Sequence, residues 1–74
     1  METKEYAAKI CHLLSNIESE DPEVTKTIES LRMRARAALT LAAGGHEVAA
    51  QLQINNLGPD LQEIIPMVKV KEGA

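Results

Sequence analysis

Aromatic side chains are almost missing from this chain, which has no Trp, no Phe and a single Tyr, Tyr6, in 74 residues. A core built without them is aliphatic and thin, because each missing ring forgoes roughly 150–250 Å² of burial. Cysteine occurs once, as Cys11, so no intrachain disulfide can form and a secreted disulfide scaffold is not expected. No apolar run approaches the roughly 20 residues that span a bilayer. The start, Met1-Glu2-Thr3-Lys4-Glu5, lacks the basic-then-apolar order of a secretory signal. A cytoplasmic chain without a membrane segment is therefore the expectation. Gly44-Gly45 follows a helical pattern and no strand, so it reads as a helix stop and not as a phosphate-binding loop.

Reactive groups are equally scarce. Cys11 and His12 are neighbours within a helical pattern, and their side chains diverge by about 100° there, too far to act as a nucleophile and its base in one chain. Cys11, His12, His46 and Glu47 show no spacing known for metal ligands. No catalytic residue, metal or cofactor is expected, and the chain does not read as an enzyme.

What is present is helical periodicity. Tyr6, Ile10, Leu13, Leu14 and Ile17 fall on one face of a helix over residues 3–18. Asp21-Pro22-Glu23 then supplies an N-cap, a proline suited to the first helical position and an acid at the positive end of the helix dipole. The second helix places Val24, Ile28, Leu31, Ala35, Ala38, Leu39 and Ala42 on one stripe and stops at Gly44-Gly45. Leu31 to Ala37 also alternates in the manner of a strand, but the alanines and the long flanking helical period decide for helix. A weaker helix is expected over His46–Asn56, with Val48 and Leu52 on one side and Ile54 off it, followed by a turn at Asn55-Asn56-Leu57-Gly58-Pro59. Asp60 and Glu63 then suggest a cap for a short helix over Leu61, Ile64 and Ile65, which Pro66 interrupts. Met67 to Lys71 reads as an extended tail, ordered where it docks.

The fold class is all-α: a single domain over residues 1–74, with an antiparallel hairpin over 3–43 and a C-terminal segment over 46–74. A domain this small buries only about 60% of its unfolded surface. With disulfides and metal set aside, self-association as a dimer or larger homo-oligomer is the remaining support.

Charge is segregated along the chain. Residues 1–23 hold two lysines against six acids, residues 24–45 hold four bases against Glu29 alone, and residues 46–74 hold two lysines against four acids. Arg32, Arg34 and Arg36 sit on alternate residues of the second helix, so Arg32 and Arg36 fall on one shoulder of its stripe and Arg34 on the other. Their stems can cover the edges of the stripe while their heads reach water or the acidic first helix. Alternatively, guanidinium groups from two or more chains can converge on a phosphate or carboxylate. Duplex nucleic acid is not an expected partner, since a chain of pI 5.3 lacks a broad positive stripe. Tyr6 reads as core packing at the start of the first helix, with stacking on a base or a place in an interface as its other uses.

The stretch Ile28-Glu29-Ser30-Leu31-Arg32-Met33-Arg34-Ala35-Arg36-Ala37-Ala38-Leu39 resembles the long-helix motif of phage cyclic-nucleotide sponges, the helical-hairpin proteins that counter the CBASS and Thoeris defence systems. Glu29, Met33, Ala35, Ala37 and Ala38 carry the resemblance, with Ile28 and Leu39 conservative. The chain differs in having Arg34 and Arg36 where that family usually has Trp and Asn, and in lacking its Ser-Arg-Glu turn. The resemblance implies an oligomer that traps cyclic oligonucleotides between protomers without hydrolysing them. Tyr6 and Lys26 would then stack bases and contact phosphate, with Arg32, Arg34 and Arg36 assisting.

The reading preferred from the residues is a non-enzymatic binding protein that self-associates and sequesters or blocks a host partner, as phage and mobile-element inhibitors do. A protein partner would use Met33, Leu41, Met67 and Val68. An anionic nucleotide ligand would use Tyr6, Lys26, Arg32, Arg34 and Arg36. An assembly adaptor or secretion chaperone is a third class.

Overall fold

The computed structural model describes residues 2–71 and consists of three helices, α1 (Thr3–Ser15), α2 (Pro22–Ala43) and α3 (Glu47–Ile64). The all-α class and the α1–α2 hairpin match the sequence reading. Residues 72–74 of the expected C-terminal segment lie outside the described residues. A 3₁₀ turn (Ile65–Met67) follows α3, and two short strands, β1 (Ile17–Glu18) and β2 (Lys69–Val70), complete the order.

The ends of α2 form as local chemistry dictates. The Asp21 carboxylate accepts the Glu23 amide at 2.9 Å, and Pro22 takes the first position, where no amide is needed. At the other end Gly45 adopts φ +87°, the left-handed conformation that favours glycine. The amide of His46 then reaches the Leu41 carbonyl at 2.8 Å, and that of Gly45 reaches Ala42 at 3.1 Å, so two of the last carbonyls of α2 gain donors.

Helix α2 is the central element and packs on both α1 and α3. Its Val24, Ile28, Leu31, Ala35 and Ala38 meet Ala7, Ile10 and Leu14 of α1 and Ile54, Leu57 and Ile64 of α3 in one aliphatic core. No polar or charged side chain is buried among the described residues.

Four expectations are corrected. Helix α1 ends at Ser15, because Asn16 folds its amide onto the Leu13 carbonyl and its side chain onto the His12 carbonyl, so Ile17 is buried from β1 and not from a helix. Helix α3 runs unbroken through Asn55–Pro59, where a turn and a separate capped helix were expected. Pro59 removes one amide and costs about 3 kcal/mol in a helix interior. Residues 50, 54, 57, 61 and 64 nevertheless keep one apolar face across it, and the burial of Leu57 and Ile64 outweighs the local penalty. The inward side of α3 is also reversed: Ala50 and Ile54 are buried, whereas Val48 and Leu52 are 79% and 58% exposed. Tyr6 is 47% exposed and stands off the core, because Ala7 and Ile10 fill the interior at that level of α1.

The tail docks on its own hairpin. Strand β2 pairs antiparallel with β1, Ile17 opposite Val70 and Glu18 opposite Lys69. The Lys71 amide extends the pairing to the Asn16 carbonyl at 2.7 Å. Val68, one of the interface candidates, packs half-buried against the core, and Leu41, another, is half-buried as well.

Candidate functional site

The three arginines meet three different environments. Arg32 leans over the end of α1, where Nε donates to the Leu14 carbonyl at 2.7 Å and an Nη donates to Ile17 at 3.4 Å. Carbonyls in the last turn of a helix have no intrahelical donor and carry the negative end of its dipole. A guanidinium answers both needs, so Arg32 fastens α1 to α2. Arg34 leaves α2 on the opposite flank and pairs with Asp60 of α3 at 2.8 Å, the two side chains being 32% and 51% exposed. Sequence reasoning had assigned Asp60 to a helix cap. It missed this partnership because the pair spans 26 residues and depends on α3 continuing through Pro59.

Arg36 is exposed, and its guanidinium makes no hydrogen bond or ion pair among the described residues. Its field reaches the half-buried Cys11 thiol. Burial pushes that thiol above its ordinary value, and the Arg36 charge partly opposes the rise.

Lys26 is exposed near the start of α2 and likewise makes no ion pair among the described residues. Tyr6 stands near the start of α1, at the Gly44–Gly45 end of the hairpin, whereas Lys26 stands near the α1–α2 connection. The five ligand candidates therefore do not converge within one protomer. Arg32 and Arg36 share a shallow depression of 290 Å³ with Glu29 and Met33. Arg34 borders a separate groove of 490 Å³ between α2 and α3, rimmed by Asp21, Glu23, Asp60 and Glu63. An anion in that groove would meet four acids.

The side of α2 turned away from the core carries a feature that sequence reasoning found only in part. Met33 is 75% exposed at mid-helix. Together with Arg36, Ala37, Thr40 and Leu41 it lines an open groove of 630 Å³. Met33 and Leu41 were legible as interface candidates. Thr40 is not singled out by the sequence, and Glu29 and Ala37 stand out only through the sponge resemblance, although the spacing of all three places them opposite the buried stripe. Met67, a further apolar interface candidate, is 50% exposed but lies on the α2–α3 groove.

No group of three or more His, Cys, Asp or Glu side chains among the described residues is placed to hold a metal ion. No described helix is long and apolar enough to cross a membrane. No protein-family model, curated protein or solved structure matches this chain.

Proposed function

We propose that this chain is a non-enzymatic binding protein that works as a homo-oligomer and acts by occupying a partner, preferably a protein. One observation carries the reading: the middle of the longest helix leaves Met33 and Ala37 uncovered on its outer side, with Leu41 at the edge of the same groove. A solvated helix face is ordinarily filled with charged and polar side chains. An apolar strip there is a surface that association would cover. Native mass spectrometry of the protein recovered from its own host tests the reading, because it reports oligomer and bound species together. A multimer carrying a second macromolecule is the expected result, and a bare monomer at every concentration sinks it.

A second reading, the cyclic-oligonucleotide sponge, is favoured by Lys26 and Arg36, two cations with no ion pair among the described residues on the outer half of α2. In this reading the pocket is completed by a neighbouring protomer, and Arg32 and Arg34 join only by leaving Leu14 and Asp60. Thermal-shift titration with cyclic dinucleotides and trinucleotides discriminates: an unchanged melting temperature at millimolar ligand removes it.

A further inference from the structure

The outer face of α2 is complementary to a copy of itself, and we propose that it forms a two-fold dimer in which two α2 helices lie antiparallel, with the axis beside Met33. This rests on the self-associating reading above and specifies its geometry. The face consists of Lys26, Glu29, Met33, Arg36, Ala37 and Thr40, which project away from the buried stripe. Glu29 and Arg36 are two helical turns apart, about 10 Å along the axis, on the same edge of the face with Met33 between them. Neither makes an ion pair among the described residues.

Charge decides the direction. A parallel two-fold copy puts Glu29 level with the partner's Glu29, and Arg36 level with the partner's Arg36, but on opposite edges, so neither charge gains an opposite one. An antiparallel copy sets Glu29 against the partner's Arg36, and Arg36 against the partner's Glu29. A two-fold axis perpendicular to both helices keeps each residue on its own edge, so both pairs form on the same side. Met33 then sits against its own counterpart at the centre, where apolar contact is best shielded from water. Ala37 and Thr40 are small, which lets the helix axes approach to about 8–10 Å. The groove of 630 Å³ and the depression of 290 Å³ both include Met33 and Arg36, so one apposed helix covers both.

The contact is a single helix face, at the small end of specific interfaces, so the dimer is weak and exchanges readily. Sedimentation equilibrium of the full chain from about 1 to 200 μM covers its range. The variants are Glu29→Arg, Arg36→Glu, the double reversal Glu29→Arg/Arg36→Glu, and Met33→Asp, with circular dichroism confirming that each stays helical. Each single reversal places like charges together twice and weakens dimerisation by roughly tenfold or more. The double reversal restores it to within a few-fold, and Met33→Asp abolishes it. Added salt weakens the wild-type dimer several-fold, a readout that needs no variant.

Indifference of the dimer to the single reversals, failure of the double to restore it, or persistence with Met33→Asp overturns the proposal. In those cases the chain still self-associates and only the geometry is lost. A wild type that stays monomeric throughout overturns self-association as well, and a monomer whose Met33 face captures a different protein assigns that face to the other partner.

Discussion

The two faces of α2 use similar residues for opposite purposes. On the inner face Leu31 is fully buried, and the flanking arginines hold the neighbouring elements, Arg32 the end of α1 and Arg34 the side of α3. On the outer face Met33 is mostly exposed, and Arg36 bonds to nothing among the described residues. Three arginines on alternate residues look alike in the sequence. The helix turns each by about 200° from the last, so their surroundings and not their type set what each one does. The inner face makes the fold, and the outer face stays open to solvent.

The largest test of that contrast compares neighbouring residues. Replacing Leu31 with Ala empties a fully enclosed site and should cost about 2–5 kcal/mol, a large share of the stability of a domain this small. Replacing Met33 with Ala, two positions along, should change monomer stability by under about 0.5 kcal/mol. Urea denaturation monitored by circular dichroism at low protein concentration measures both. Similar losses at the two sites would erase the distinction between the faces.

Arginine replacements sharpen it next. Arg32→Gln removes charge-assisted bonds to α1 carbonyls and should cost about 1.5 kcal/mol, whereas Arg36→Gln should leave the unfolding midpoint of the monomer unchanged. The Arg34–Asp60 pair falls between them. Both side chains are partly solvated, so a double-mutant cycle with Arg34→Gln and Asp60→Asn should return a coupling below about 1 kcal/mol, weakening with salt. A coupling well above that value would mean that the pair is better shielded than its exposure indicates.

Legibility from the sequence follows the same division. The α1–α2 hairpin was readable because its signals are local: Asp21-Pro22-Glu23 starts α2, Gly44-Gly45 stops it, and the apolar stripe between has one period. The C-terminal third was misread because tertiary burial prevailed over local chemistry. Asn55 to Pro59 has the composition of a turn, yet Ile54, Leu57 and Ile64 bury against α2 only if the helix continues. Pairing of Lys69 and Val70 with β1 could not be foreseen, since nothing in a two-residue strand names its partner. For the candidate site, helical geometry alone separated Arg34 from Arg32 and Arg36. The Leu14 and Asp60 attachments required three-dimensional neighbours.

The smallest expected effect connects the two faces through Cys11. Burial holds its thiol above the ordinary value of 9.0, and the Arg36 charge pulls it down in part. A group that binds its proton more tightly in the folded state than in the unfolded chain lends stability in full below the unfolded value, here near pH 9.0. That contribution is lost as pH rises through the higher folded value, so the wild type should lose a little stability in the alkaline window that Cys11→Ala retains. Arg36→Gln removes the opposing charge and should move the thiol further up. The change is visible as later appearance of thiolate ultraviolet absorbance with rising pH, and as slower alkylation by iodoacetamide at a fixed mildly alkaline pH. A thiol titrating at or below 9.0 would mean that Cys11 is open to water, and an Arg36→Gln protein with unchanged titration would mean that the outer-face charge does not reach it. Burial alone would then set the titration of the thiol.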